Sequence, residues 1–348
     1  MPISHNLYVF LLPKFGSYFK QLHIYIYTSL LVLLCTIPAL PQQDAHFSQY
    51  MFTGNLYNPA YSGIYKQTEL YLLYRYQWLG LSSTPDDGVN AAPQTLMFAG
   101  STAIKSINSG IGIHLQNDKI AIYQTIDLKI NYSYHINIAK GTLGIGAGIG
   151  IVNTSIDAQK LKYNDPSDLR IQNLTSNNSA NALDINTGIY YAHPRFFAGL
   201  GINRLLSPSL FNSTLNDINY SSQKVRHYFL TAGINIKLSD YFTLVPSTFV
   251  KLNIPPLAAS SFDINFMLKY NNDKLWGGLS YRHNDAAIII LGIGFLKNNA
   301  LRAGYAFDLS VIGTQAKAGT SHELFLSYYI PVSDVLARPP IRTPRYRY

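Results

Sequence analysis

The chain has 348 residues, a formal net charge of +9, and 13% charged and 13% aromatic side chains. Its single cysteine, Cys35, excludes a framework of internal disulfides. After residue 41 the longest apolar run is Ala286–Leu296, far shorter than the ~20 residues that a membrane-spanning helix needs.

Residues 1–41 are typical of a secretory signal peptide. They carry two lysines, no acidic residue, and the apolar run Ser29–Leu40 ahead of a polar stretch. A membrane helix is the alternative, but the run is short and no positively charged stop follows it. Cys35 lacks the small preceding residue of a lipoprotein signal. We therefore expect export and cleavage near Pro41.

Residues 42–66 are predicted to form a structured N-terminal segment, either periplasmic or a plug. The stretch Gln43–Gly63, QDAHFSQYMFTGNLYNPAYSG, contains Asn-Pro and Ser-Gly steps typical of structured turns. It has one charged residue, Asp44, and several aromatic ones. Disordered tails are poor in aromatic residues, so we expect this stretch to pack against the rest of the chain.

From residue 67 onward, apolar and polar side chains alternate with a period of two. In Ile122–Ile136 the even positions are apolar apart from Gln124, while the odd positions include Asp127 and Lys129. Such alternation predicts strands with one apolar and one polar face. Fourteen strands are predicted, at about 67–78, 93–105, 110–117, 122–136, 141–154, 183–193, 195–205, 225–238, 241–251, 260–270, 274–283, 286–296, 299–309 and 320–330.

These strands favour an all-β fold, a transmembrane outer-membrane β-barrel over residues 67–330. Most are longer than globular strands and match the ~9–11 tilted residues that cross a bilayer. Aromatic residues cluster at strand ends, as at Tyr328 and Tyr329, where a membrane interface favours them. A soluble two-sheet protein also alternates, but strand length and the lack of cysteine after residue 41 favour the barrel. Residues 331–348 are predicted to form a basic Pro/Arg tail.

The predicted connections differ in length according to the strand that they follow. The long connections, 79–92, 155–182, 206–224, 252–259 and 310–319, all follow odd-numbered strands, whereas those after even-numbered strands are tight. Short turns at one end and longer loops at the other are typical of outer-membrane barrels. With a periplasmic N-terminus, the long loops are expected to face the exterior.

The polar face, which points inward in a barrel, carries both charges and many glycines. Its charged residues are Glu69, Arg75, Asp127, Lys129, Asp184, Lys237, Asp263, Lys269, Arg282, Arg302, Asp308 and Glu323, so a one-sign ion filter is not predicted. Glycine weakens a strand unless another backbone or a ligand comes close. The row Gly144, Gly146, Gly148 and Gly150 therefore indicates either strong curvature or a wall that faces a segment inside the lumen. Candidate plug or partner-binding residues are Asp44, His46, Phe47, Gln49, Tyr50, Asn58, Pro59 and Tyr61.

No motif in the sequence predicts catalysis or a cofactor. The nine histidines lack metal-ligand spacing, no serine–histidine pair stands out, and no Gly-x-Gly-x-x-Gly opens a helix. The loop carboxylates Asp86, Asp87, Asp165 and Asp168 fit solvated loops better than a calcium site. The arginine-rich tail has a composition found in nucleic-acid binders, but export argues against a nucleic-acid partner. We predict no enzymatic activity, no metal and no cofactor.

Several stretches resemble one known family. Gln43–Gly63 resembles the mature N-terminus of the PorP/SprF family, the type IX secretion membrane proteins of gliding bacteria. Further similar stretches are VPSTFVK at Val245–Lys251, SFDINFMLKYNNDKLWGGLSYRHNDA at Ser261–Ala286, LRAGYAFD at Leu301–Asp308 and SHELFLSY at Ser321–Tyr328. The resemblance spans nearly the whole chain after the signal peptide, and the tail after Pro331 departs from the ending common in barrels.

This resemblance implies an outer-membrane barrel of a Gram-negative bacterium that works with the type IX secretion machinery. Family members support export or surface attachment of cell-surface proteins, including gliding adhesins. The implied partners are outer-membrane lipid, components of the machinery, and a secreted surface protein or adhesin. An outer-membrane solute channel or ligand-uptake barrel is the alternative function.

Overall fold

The structure, a computed structural model, describes residues 46–81, 91–157, 179–207, 209–215, 218–223, 225–254, 261–311 and 319–331. The predicted signal peptide, Asp44, the loop carboxylates considered for calcium and the tail after Pro331 lie outside the described residues. No helix in the described ranges is long and apolar enough to span a membrane.

Antiparallel strands dominate the described residues. They are β1 (Gln67–Tyr76), β2 (Gln94–Ile104), β3 (Ser109–Ile120), β4 (Tyr123–Ile138), β5 (Gly141–Ile156), β6 (Ser179–Ala192), β7 (Phe196–Asn203), β8 (Ser209–Leu215), β9 (Ile218–Gln223), β10 (Arg226–Ile234), β11 (Ile236–Lys237), β12 (Phe242–Ile254), β13 (Ser261–Tyr270), β14 (Leu275–Arg282), β15 (Ala286–Phe295), β16 (Leu301–Ser310) and β17 (Thr320–Pro331).

The strands close into a barrel. The strands from β1 to β7 and from β12 to β17 pair in chain order, β10 pairs with both β7 and β12, and β1 pairs with β17. With β11 counted as the continuation of β10, and with β8–β9 forming a separate hairpin, the described residues give a closed barrel of fourteen antiparallel strands. The fold predicted from the sequence is confirmed.

The two ends of the barrel differ in their connections. At the short-turn end β2 leads to β3, β4 to β5 and β13 to β14 through a few residues, with 3-10 turns at Lys105–Ile107 and Lys297–Asn299. In the β13–β14 turn Asn271, Asn272 and Asp273 have positive φ angles, and Asn and Asp tolerate the left-handed conformation better than most residues. The opposite end, which we call the long-loop end, has the connections 77–93, 157–178 and 311–319.

Strand boundaries agree with the sequence prediction within a few residues, with three differences. β5 extends to Ile156 and β6 begins at Ser179, so both ends of the predicted loop 155–182 are strand. The predicted connection 206–224 contains the β8–β9 hairpin. The predicted strand 225–238 is interrupted at Asn235, whose backbone N–H donates to the Arg195 carbonyl at 2.7 Å instead of to a strand neighbour.

Side-chain exposure assigns the two faces of the wall. On β4 the apolar Ile126, Leu128 and Ile130 are 40%, 41% and 58% exposed, whereas Asp127 and Lys129 between them are 7% and 3% exposed. In a soluble protein this arrangement would leave a large apolar surface in water. It is stable when the outer face contacts lipid, as the alternation predicts.

We predict that Leu128→Arg impairs folding far more than Ile138→Arg does. Both residues lie on the outward face of β4, but Leu128 is near the middle of the wall and Ile138 ends the strand. An arginine at the bilayer midplane costs ~2–4 kcal/mol and one near the interface ~0–1 kcal/mol. The fraction of heat-modifiable, folded barrel after folding into lipid vesicles measures the difference, and equal yields would contradict the assigned membrane depth.

Candidate functional site: the segment inside the barrel

Residues 46–66 form a compact segment made of three short turns. A 3-10 turn at Tyr50–Phe52 leads to a one-turn helix at Gly54–Tyr57 and a second 3-10 turn at Pro59–Tyr61. The Asn58 side chain accepts a hydrogen bond from the Ala60 N–H at 3.0 Å, and Pro59 occupies the first helical position, where a missing N–H does no harm. The Asn-Pro step therefore starts the last turn.

The segment runs through the lumen from the long-loop end toward the short-turn end. Its first described residues contact Arg75 and Asp308, near the ends of β1 and β16 that lead into long connections, and Arg282, which ends β14 at the same end of the barrel. Its last residues precede Gln67, where β1 begins at the other end of the barrel. Gly63 has a φ angle of +68°, and a side chain there would overlap the backbone of Thr102 and Ala103 on β2. This glycine lets the segment lie against the wall before it turns into β1.

Five charged side chains hold the start of the segment, and we call them the clamp: Arg75, Asp263, Arg282, Asp308 and Glu323. All are 4% exposed or less. Arg75 pairs with Asp308 at 2.7 Å and with Glu323 at 3.1 Å. Arg282 pairs with Asp263 at 3.1 Å and lies 3.5 Å from Asp308. The clamp therefore joins β1, β13, β14, β16 and β17.

The segment supplies hydrogen bonds that complete the clamp. The backbone N–H groups of Ser48 and Gln49 each donate to a different oxygen of Glu323, both at 2.8 Å. The Ser48 hydroxyl donates to Asp308 at 2.7 Å and accepts from Arg75 at 2.9 Å. Buried charges are stable only when their hydrogen-bonding positions are filled, so the clamp depends on the segment as much as the segment depends on the clamp.

His46 adds a neutral contact beside the clamp. Its Nε2 lies 3.4 Å from an Asp263 oxygen and its Nδ1 lies 3.3 Å from the Ser261 hydroxyl. Burial, together with the nearby Arg282 guanidinium, lowers the pKa of His46 to about 4. The imidazole is therefore uncharged at neutral pH, and its contact with Asp263 is not an ion pair.

Aromatic side chains pack together in the part of the lumen between the clamp and the short-turn end. The Tyr50 ring stacks on Phe249 with centroids 4.9 Å apart, and Phe52 stacks on Phe325 at 5.0 Å. Tyr57 packs against Phe249 at 4.6 Å. Aromatic pairs at these distances contribute ~0.5–1.5 kcal/mol each beyond their buried area. The rings of the segment and of the wall thus form a hydrophobic core inside the barrel.

Amide side chains fix the segment to the other side of the wall. Asn131 on β4 donates to the Asn55 carbonyl at 3.0 Å and to the Asn55 side-chain oxygen at 2.9 Å. Asn58 donates to the Ile189 carbonyl on β6 at 2.8 Å, and Asn203 on β7 donates to the Leu56 carbonyl at 3.2 Å. The segment therefore contacts strands on every side of the lumen.

The predicted glycine row on β5 has two roles. A side chain at Gly144 or Gly146 would overlap the backbone of the segment at Pro59 and Ala60. A side chain at Gly148 would instead overlap Asn131 and Asn186, and one at Gly150 would overlap Lys129.

Those last two glycines make room for bridges across β5. Lys129 on β4 passes over Gly150 to reach Asp184 on β6 at 2.9 Å, and it also pairs with Asp127 at 3.1 Å. Over Gly148, Asn186 donates to Asn131 at 3.0 Å. Gly144 and Gly146 therefore face the backbone of the segment, whereas Gly148 and Gly150 leave space for contacts between side chains of β4 and β6.

The described candidate residues lie together in the lumen. The structure places His46, Phe47, Gln49, Tyr50, Asn58, Pro59 and Tyr61 in buried positions, each 9% exposed or less. Ser48 and Asn55, which make the central polar contacts, are not among the residues predicted from the sequence. Their small size and lack of charge gave no signal, whereas the charged clamp residues were already assigned to the inward face. Among the described residues no group of three or more His, Cys, Asp or Glu side chains is arranged to hold a metal ion.

Comparison with known families identifies the chain. A profile of the type IX secretion system membrane proteins PorP/SprF matches residues 39–328, which include both the internal segment and nearly the whole barrel. The chain belongs to the PorP/SprF family. As a PorP/SprF barrel it is an outer-membrane protein of a Gram-negative bacterium. No curated protein sequence matches it.

Solved outer-membrane barrels are similar in fold. The toluene transporter TbuX of Ralstonia pickettii is 12% identical, with a TM-score of 0.46 over 79% of this chain and 92% of that chain. The toluene transporter TodX of Pseudomonas putida is 10% identical, with a TM-score of 0.44 over 83% and 95%. The outer membrane protein Omp33 of Acinetobacter baumannii is 9% identical, with a TM-score of 0.38 over 77% and 99%.

We predict that Gly146→Leu loosens the segment without preventing barrel formation. The added side chain would meet the backbone of Pro59 and Ala60, and overpacking typically costs ~1–3 kcal/mol. Limited proteolysis followed by N-terminal sequencing should show faster cleavage within residues 46–66. Ala147→Leu, which adds similar bulk on the exposed face of the same strand, is the control. Cleavage of the unmutated segment at the same rate would mean that the lumen does not hold it.

We predict that Arg75→Met destabilises the barrel by ~3–5 kcal/mol, because it leaves Glu323 without its cation in a buried site. The free energy of unfolding in urea, followed by heat-modifiable mobility, measures the loss. Lys237→Met removes an exposed cation near the short-turn end and should change stability little.

The double variant Arg75→Met/Glu323→Met tests how much the hydrogen bonds from the segment to Glu323 contribute to stability. It removes the unpaired carboxylate but also the acceptor of the Ser48 and Gln49 N–H groups. We therefore expect the double variant to regain only part of the free energy of unfolding that Arg75→Met loses. A free energy equal to that of the unmutated barrel would show that those two hydrogen bonds contribute nothing.

Proposed function

We propose that this PorP/SprF barrel is a closed outer-membrane component of type IX secretion, supporting export or surface attachment of a cell-surface protein such as a gliding adhesin. Membership of the family supports a role in secretion. The observation that favours a closed component is the segment of residues 46–66, which is held by the clamp and by contacts on every side of the lumen.

The buried charges of the lumen support this proposal over a solute channel. A channel for ions or polar solutes needs charges or dipoles that face a water-filled path. Here Arg75, Lys129 and Arg282 are each paired with carboxylates and buried. A ligand-uptake barrel would require the segment to leave, which breaks the hydrogen bonds of Ser48 and Gln49 to Glu323.

The proposed arrangement in the cell follows from the predicted topology. An N-terminal signal peptide directs export, the long-loop end faces the exterior, and the short-turn end faces the periplasm. The outer face contacts outer-membrane lipid. Components of the type IX machinery bind from the periplasmic side, and the secreted surface protein binds the assembled complex. The chain acts by binding and positioning partners and has no catalytic activity.

Conductance in planar bilayers tests the closed state. The purified barrel is expected to be nearly silent, and Gly146→Leu, which disturbs the contact at Pro59 and Ala60, is expected to show openings. In the source bacterium, deletion of the gene should reduce surface display of a secreted adhesin. Steady single-channel conductance from the unmutated protein, with normal surface display in the deletion strain, would contradict the proposal.

A further inference from the structure

A cavity of about 430 Å³ lies between the segment and the barrel wall. This volume is within the range of about 300–1,000 Å³ that is usual for ligand sites. Aromatic side chains from the segment and from the wall line it, including Tyr50, Tyr57, Phe229 and Phe249. Its interior therefore suits a flat apolar group that can pack against rings.

The cavity is at the short-turn end. Lys269, Asp273, Arg302 and Tyr329 line it, and they come from the ends of β13, β16 and β17 beside the tight turns. Asp273 pairs with Lys269 at 3.2 Å and with Arg302 at 2.9 Å. A set of paired charges around an aromatic interior resembles the polar rim that surrounds an anchoring residue in protein interfaces.

One buried polar side chain in the cavity has no partner. Asn265 lines the cavity and is 1% exposed, and neither atom of its side-chain amide makes a hydrogen bond within the part of the chain that the structure describes. Most buried polar groups in folded proteins have partners. Asn265 offers both a donor and an acceptor, and a backbone amide is complementary to both.

We propose that this cavity binds an aromatic residue of a polypeptide, with its ring packed against the cavity side of the cluster Tyr57, Phe229 and Phe249 and a backbone amide paired with Asn265. The inference deepens the proposed function, because it places a binding site for a secretion partner at the end predicted to face the periplasm. The segment lies between the cavity and the clamp, whose five charged side chains are buried. A fixed partner fits this geometry better than a transported one.

The site is tested on the purified full-length barrel in detergent with N-acetylphenylalaninamide, a ring joined to a peptide-like amide. Saturation-transfer NMR should show saturable binding with a millimolar Kd, as expected for so small a probe. N-acetylalaninamide lacks the ring and benzyl alcohol lacks the amide, so each should bind at least tenfold more weakly.

Two variants link the binding to the cavity. Asn265→Leu keeps a side chain of similar size without the amide and should weaken probe binding at least tenfold. Val245→Phe adds a ring at a buried cavity position and should abolish binding. Phe266→Leu, on the outward face of β13, is the control and should bind as the unmutated protein does.

Absence of saturable binding, equal binding of benzyl alcohol, or unchanged binding by Asn265→Leu with folding intact would overturn the inference. Folding of each variant is checked by heat-modifiable mobility. Conductance and surface display test the proposed function separately. If those experiments contradicted the proposed function, binding of the probe to the cavity could still be measured, so the two failures are distinguishable.

Discussion

The structure depends on one buried carboxylate, that of Glu323. It lies on β17 directly opposite Arg75 on β1, across the strand pair that closes the barrel. It accepts hydrogen bonds from the guanidinium of Arg75 and from the backbone N–H groups of Ser48 and Gln49. A charge buried in this way is tolerated only when such donors surround it, because attraction in a low-dielectric interior must offset a large desolvation cost. The closing pair of strands and the internal segment are therefore stabilised by the same atoms.

The need to pair these buried charges explains why the segment is polar at one end and aromatic at the other. At the long-loop end it presents small polar groups and backbone N–H donors to the clamp, as Ser48 does. Toward the short-turn end it presents rings, and Tyr57 and Tyr61 pack against Phe249 and Tyr190. Each half of the segment matches the wall that it meets, so a shift of the segment along the lumen would place rings against buried charges. The match sets one position for the segment and disfavours partial withdrawal.

The strands could be predicted from sequence because lipid outside and a packed lumen inside impose opposite demands on alternate residues. The β8–β9 hairpin lies outside the barrel pairing and escaped prediction, since it is not subject to that contrast. For the site, alternation assigned Arg75 and Glu323 to the inward face but gave no partner for either. Partners depend on which strands close the ring and on how far each side chain reaches. The glycine row shows the same limit, because only the register reveals that Gly150 lies between Lys129 and Asp184.

The pairing of the lumen charges also bears on how such a barrel can act in secretion. If the segment left, Glu323 would lose two donors and Asp308 would lose the Ser48 hydroxyl, while water replaced the aromatic packing around Phe249. Opening would thus expose apolar rings and leave charges incompletely paired at once, and both changes are unfavourable. A partner that opened the lumen would have to supply comparable interactions from its own side chains. A partner that binds the closed barrel at the short-turn end has no such requirement, because the aromatic cavity there is already formed with the segment in place.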